Sequence, residues 1–244
     1  MSKVIAEKSI STKSNTQEHS HKVIKTMRKH KGIDTSHKKR IDQILSLLEL
    51  HYPGAECALL HQTPYQLLVA TILSAQCTDV MVNKVTPALF KKAPTPQAMV
   101  KLTSAKLEKL IHSTGFYVNK AKNILAMSNQ LLTRFNGEVP QTLDELITLP
   151  GVGRKTASVE LGVAFHIAEG VVVDTHVTRL SQRLGFTKQT DAVKIEQDLM
   201  KIVPQTQWIN ISHQLILHGR QLCKARNPMC SDCFLSAICP SSEV

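Results

Sequence analysis

The sequence predicts an all-α protein, on three observations. Aromatic residues make up only 4% of the 244 while aliphatic residues abound, which suits helix packing better than a sandwich or barrel. Helix-start signals recur at short spacing along the chain. Strand signals are almost absent: GVVVD at 170–174 is the one β-branched run, and it is short.

Helical patterning begins near residue 38. Thr63-Pro64-Tyr65-Gln66 reads as a capping box with proline at the first helical position, opening LLVATILSA. Thr78-Asp79 caps DVMVNKVTPALF, Thr95-Pro96 starts a short helix, and Ser104 caps AKLEKLIHS, which Gly115 ends. NKAKNILAMSNQLLTRF is a long amphipathic helix stopped by Asn136-Gly137. Thr142-x-x-Glu145 is a second capping box, before LDELITL. Further helices are expected near 175–185, 191–203 and 208–222. No internal repeat is present.

Formal net charge is +11, and its distribution matters more than its size. Residues 1–40 hold eleven Lys and Arg against three acids, so a surplus of eight lies there. The first 35 residues lack apolar periodicity and read as a disordered basic arm that loosely raises affinity for nucleic acid. They have no apolar core of a secretory signal, and Lys over Arg with Glu7 and Glu18 weakens a transit-peptide reading. No run of about 18 apolar residues occurs, so no membrane span is expected.

Four of the six cysteines fall within 17 residues, as Cys223-x6-Cys230-x2-Cys233-x5-Cys239. This is not the spread pattern of a secreted disulfide framework. By ligand type alone, tetrahedral zinc and an iron–sulfur cluster both fit four thiolates. Cys57 and Cys77 read as ordinary buried cysteines.

LPGVGRKTA, 149–157, joins two helical runs by a tight glycine turn. Pro150 breaks the first helix, Gly151 and Gly153 permit positive φ, and Val152 can tuck inward as an anchor. The second helix then starts with unpaired amides and the positive end of its dipole, which accept an anion such as a DNA phosphate. An ordinary αα-hairpin is the plainer reading. Lys155 lies in that first turn, where the dipole opposes a cation and partial burial would favour the neutral, nucleophilic amine. Asp174, after an apolar run, reads equally as an N-cap for THVTRLSQRL.

Taken together, LPGVGRKTA, VDTH at 173–176, SAQCTD at 74–79, GEVP at 137–140, LILHGR at 215–220 and the cysteine string resemble the endonuclease III family of DNA repair glycosylases. The matches run from about residue 38 to 240. The resemblance implies a two-lobed helix-hairpin-helix fold, with residues 63–174 as a helical bundle and 36–62 with 175–244 as the lobe holding a C-terminal 4Fe–4S cluster on Cys223, Cys230, Cys233 and Cys239. It implies a bifunctional DNA N-glycosylase and AP lyase of base excision repair, acting on oxidised pyrimidines in damaged double-stranded DNA. Lys155 would attack the sugar C1′, and Asp174 would stabilise developing charge or assist proton transfer.

The same resemblance assigns DNA contacts. Leu149, Gly151, Val152 and Gly153 would meet the backbone, with Arg154 as a phosphate or solvent contact. Gln76 would fill the space left by the extruded nucleotide, Tyr117 or Val118 would tip a second wedge in GFYVNK, and Lys224 and Arg226 would meet phosphates from the cluster loop. His176 supports the pocket or touches substrate, and His218 is a packing and hydrogen-bonding residue. Glu160, less typical of the family, is expected on the surface. A monomer is expected, in the cytoplasm on the nucleoid, or in an organelle or nucleus in a eukaryote. An adenine-mismatch relative is disfavoured by Lys155, a pyrimidine-dimer glycosylase of the same family stays open, and a non-catalytic DNA-binding protein is the rival of a different class.

Overall fold

The structure, a computed structural model, describes residues 35–244. The basic arm expected over 1–35 lies outside those residues, apart from Thr35, which begins a helix. Chain contacts divide the molecule into Met1–Arg40 and Ile41–Val244. In the first unit the Arg40 guanidinium is 3.2 Å from His37 Nδ1.

The only regular secondary structure among the described residues is helical, without a strand, and GVVVD is outside any helix. The helices are α1 Thr35–His51, α2 Pro64–Ser74, α3 Asp79–Lys92, α4 Pro96–Met99, α5 Ser104–Ile111 and α6 Tyr117–Arg134. They continue as α7 Leu143–Leu146, α8 Arg154–Phe165, α9 Thr175–Arg183, α10 Ala192–Ile202 and α11 Trp208–Gln221. No helix among the described residues is long and apolar enough to cross a membrane.

Local chemistry explains the starts. Side chains of Thr63, Thr78, Thr95, Thr142, Asp174 and Asp191 accept an amide from the first turn of their helices. At α5 the cap is Thr103, not Ser104 as expected: Thr103 is extended and accepts the Lys106 amide, while Ser104 donates to Glu108 2.7 Å away. Helix α6 starts at Tyr117, earlier than its amphipathic run suggests, from a left-handed Phe116. Asn136 and Gly137 both take positive φ beyond its end.

Two hydrophobic cores form within the second unit. One gathers Leu59, the inner faces of α2 to α8, and the turn residues Leu149 and Val152. The other gathers α1 from Ile41, Tyr52 and Ala55, with Val171, α9, α10, α11 and Leu235. Leu59 packs with the first core, and Val171 and Val173 with the second. Buried polar groups are mostly satisfied: the Tyr65 hydroxyl lies 2.7 Å from Ser128 Oγ, which donates to the Ile124 carbonyl at 2.7 Å.

Glu160 is one of the exceptions, and it corrects the expected surface position. It shares a face of α8 with Ala157 and Leu161, is fully buried, and neither carboxyl oxygen has a hydrogen-bond partner. Burial raises its carboxyl to about 9, so it is neutral at pH 7. Because the folded group holds its proton more tightly than the unfolded one, stability is full at acid pH. It falls as the unfolded chain ionises between pH 4.5 and about 9. At about 1.36 kcal/mol per pH unit the loss approaches ~6 kcal/mol. Thermal melting from pH 5 to 9 should show this decline in wild type and a flatter profile in Glu160→Gln; equal slopes would refute it.

Candidate functional site

The glycine turn places an open helix start. Leu149 and Val152 are buried, so their side chains belong to the core and only their backbone can meet a ligand. Gly151 has φ 79°, and a Cβ there would lie 2.9 Å from Asn123 Cβ, so both conformation and space demand glycine. Gly153 does not take the positive φ expected of it. At φ −92° and ψ 174° it is the extended N-cap of α8, offers no side-chain acceptor, and faces open space where a Cβ would stand. The first amides of α8 are thereby left without a side-chain cap.

Arg154, expected as a phosphate or solvent contact, is exposed and also makes an ion pair. Its Nε and Nη2 each lie 3.3 Å from an oxygen of Glu196 on α10, a two-pronged ion pair joining the hairpin to the second core. Glu196 is itself buried, and a Cβ on Gly170 would collide with its carboxylate. Gly170 is thus the residue that lets the carboxylate reach Arg154.

Behind the turn lies a cavity of about 140 Å³ whose walls include Lys155, Asp174, Ser158, Asp79, His213 and Arg220. Lys155, the second residue of α8, is exposed rather than partly buried. Asp174 is half-buried, and its Oδ1 accepts the Val177 amide at 2.8 Å, so it caps α9. The other oxygen of that carboxylate is not needed for the cap. Arg220 Nη2 reaches Asp79 Oδ2 at 2.6 Å, tying the end of α11 to the start of α3. Burial pushes the His213 imidazole down, against the pull of Glu56 and Asp174. Burial also lowers His176, which Asp174 opposes, and its Nδ1 lies 3.2 Å from Arg179 Nη2.

Two turns protrude nearby in sequence. Gln76, between α2 and α3, is exposed at φ 52°. In the second, Tyr117 is only half-exposed and its ring lies 4.4 Å from that of His112. Val118, one of the two expected tips, is 53% exposed, and Phe116, at φ 48°, is 64% exposed. Sequence reasoning passed over Phe116, although a large apolar residue directly after Gly115 was the available signal.

The C-terminal cysteines surround a second cavity, of about 160 Å³, whose lining includes Cys223, Cys230, Cys233 and Cys239. Among the described residues no group of three or more His, Cys, Asp or Glu converges as a single metal ion would require. The four cysteines are nevertheless all in the lining of one cavity. Donors point at them: Arg183 Nη1 lies 3.3 Å from Cys223 Sγ and the Leu235 amide 3.4 Å from Cys233 Sγ. His218, buried, has Nε2 3.6 Å from Cys233 Sγ and Nδ1 3.1 Å from the Tyr52 hydroxyl. Arg183 also donates to the carbonyls of Lys224 and Ala225, holding the loop that exposes Lys224 and Arg226. This donor set suits soft thiolate ligation by a polynuclear group. Cys57 and Cys77 are half-buried, less enclosed than expected.

Comparison with known proteins agrees with this geometry. Residues 69–205 match the family model of the HhH-GPD superfamily base excision DNA repair protein. The chain is 57% identical to an endonuclease III of Synechocystis, covering 85% of this chain and 95% of that one. It is 45% identical to the endonuclease III of Bacillus subtilis, over 84% and 94%. A solved trapped endonuclease III–DNA covalent intermediate superposes with TM-score 0.80 at 45% identity, covering 84% of this chain and 96% of that one. A thermostable thymine-DNA glycosylase shares the fold at TM-score 0.76 and 20% identity, over 84% and 97%.

Gly170→Ala should press a methyl group on Glu196 and lower stability by about 1–3 kcal/mol, read as a lower Tm. Adding Glu196→Ala should relieve part of that loss, and simple additivity of the two changes would show that no such clash exists.

Proposed function

The chain belongs to the endonuclease III family within the HhH-GPD superfamily of base excision DNA repair proteins, and we propose that it is a bifunctional DNA N-glycosylase and AP lyase acting on oxidised pyrimidines in double-stranded DNA. The observation that carries the proposal is that Lys155 and Asp174 line one cavity beside the uncapped start of α8. An amine and a carboxylate in one cleft are what a Schiff-base lyase requires.

In this reading the DNA backbone is held by the amides of Gly151 and Gly153 and the dipole of α8, while the Val152 amide closes the turn on the Leu149 carbonyl. Exposed Lys224 and Arg226 neutralise further phosphates. The extruded nucleotide enters the Lys155 cavity, while Gln76 and Phe116 occupy the space it leaves. The Lys155 amine attacks C1′. The C1′–N bond breaks with its electron pair passing to the departing base, which takes up a proton. The secondary amine loses its proton as the C1′–O4′ bond breaks, the electron pair passing to O4′, which takes up a proton, and the opened sugar is left as an imine. A base then removes a 2′ proton, and the C3′–O bond breaks, cutting the strand 3′ to the lesion. The Asp174 oxygen not used in capping faces this charge as it develops. Arg154 acts here as a brace through Glu196.

Cys223, Cys230, Cys233 and Cys239 would hold a 4Fe–4S cluster, whose contribution is to crosslink the loop that presents Lys224 and Arg226. The two cores correspond to a helical bundle and a cluster lobe, and a monomer working on nucleoid DNA is the state this reading expects.

Borohydride trapping on a duplex with one thymine glycol should give a covalent complex with wild type and none with Lys155→Ala. No complex with wild type that still binds DNA would sink the lyase mechanism in favour of a binding protein. Asp174→Asn keeps an acceptor for the Val177 amide, so melting should shift little while turnover falls by about 10²-fold or more. Purified protein should contain iron and acid-labile sulfide in equal amounts, lost together in Cys233→Ser. Zinc at one per chain would overturn the cluster assignment.

A further inference from the structure

We propose that Lys120 is a positioning residue for nucleotide extrusion, tying together the roots of the two turns that fill the gap. The inference rests on the glycosylase reading above and deepens it. Lysine is among the residues least often buried, because its charge must be fully compensated. Lys120 is nevertheless 5% exposed, within the first core's α6. Its Nζ donates at 2.8 Å to the Leu73 carbonyl and at 2.8 Å to the Thr114 carbonyl.

Those two acceptors are 41 residues apart in sequence and belong to different turns. Leu73 is in the last turn of α2, where carbonyls lack an amide partner and the dipole favours a cation. Three residues on stands Gln76, exposed and left-handed. Thr114 closes the short 3₁₀ turn His112–Thr114, and its own side chain is buried and bonded to the Ile111 carbonyl. Two residues on stands Phe116, exposed and left-handed. One ammonium therefore fixes the last rigid point before each protruding tip. Gln76 and Phe116 must enter the duplex in a fixed mutual geometry to replace one nucleotide, and a shared anchor provides it. Burial lowers the Lys120 amine, with nearby Cys77 opposing, yet the group donates to carbonyls and not to an acid.

The test uses the full chain with Lys120→Met. Two substrates separate extrusion from chemistry: a duplex carrying thymine glycol, and a single strand carrying a preformed abasic site, which has no base to extrude. Under single turnover, excision from the duplex should fall about 10- to 100-fold. Lyase cleavage of the single strand should stay within about twofold of wild type, since the Lys155 cavity is untouched. The fluorescence rise of a 2-aminopurine beside the lesion should slow by the same factor as excision. Equal losses on both substrates, or no loss on either, would overturn the proposal. Wild type inert on both would instead overturn the glycosylase reading. Should Lys120→Met not fold, Lys120→Gln retains a donor and is compared in the same way: a selective loss on the duplex supports the strap, and an equal loss refutes it.

Discussion

The arrangement depends on one helix start being left open. Most helices among the described residues close their first turn with a threonine or aspartate oxygen; α8, like α6 and α11, does not, and α8 alone of these three starts from a glycine. Gly153 supplies no acceptor and no Cβ, so the amides and the dipole of α8 face outward. The rest of the hairpin serves that opening. Leu149 and Val152 sink into the core to hold the turn down, and Gly151 passes over Asn123 where any side chain would collide. The lysine that follows, second in α8, lines the cavity behind the turn.

Two ion pairs join elements of the two cores, Arg154 with Glu196 and Arg220 with Asp79, the second of them in the wall of the Lys155 cavity. Both have partly exposed arginines, so neither adds more than about 1 kcal/mol to stability. Their value is directional. One fixes the start of α8 against α10, the other fixes the start of α3 against the end of α11. A cleft wall made from two separate cores needs such ties, because apolar packing within each core does not set the register between them.

What could be read from the sequence was local. Thr63 with Gln66 and Thr142 with Glu145 announced helix starts within four residues, and the structure places them there. The cysteine spacing marked a ligand set, and the glycine turn marked the hairpin. What escaped was relational. Arg154 and Glu196 lie 42 residues apart, and no local pattern pairs them. Lys120 reads as one more cation on an amphipathic helix until its neighbours are known. Glu160 could have been suspected, since it falls on the helical stripe of Ala157 and Leu161, but a lone acid in such a stripe is more often a solvated residue. Phe116 was hidden by its neighbour Tyr117, whose ring is occupied by His112.

The interleaving of the two cores has a consequence for synthesis. The first core is built from a continuous stretch, residues 59–161, while the second needs α1 from the beginning of the described chain and α9 to α11 from its end. The cavity holding Lys155 draws its walls from Glu56 through Arg220. On the ribosome, therefore, the bundle can fold as soon as it emerges, but α1 has no partner until the last helices follow. Lys155 is made before the last walls of its cavity, so a nascent chain does not yet hold that cavity complete.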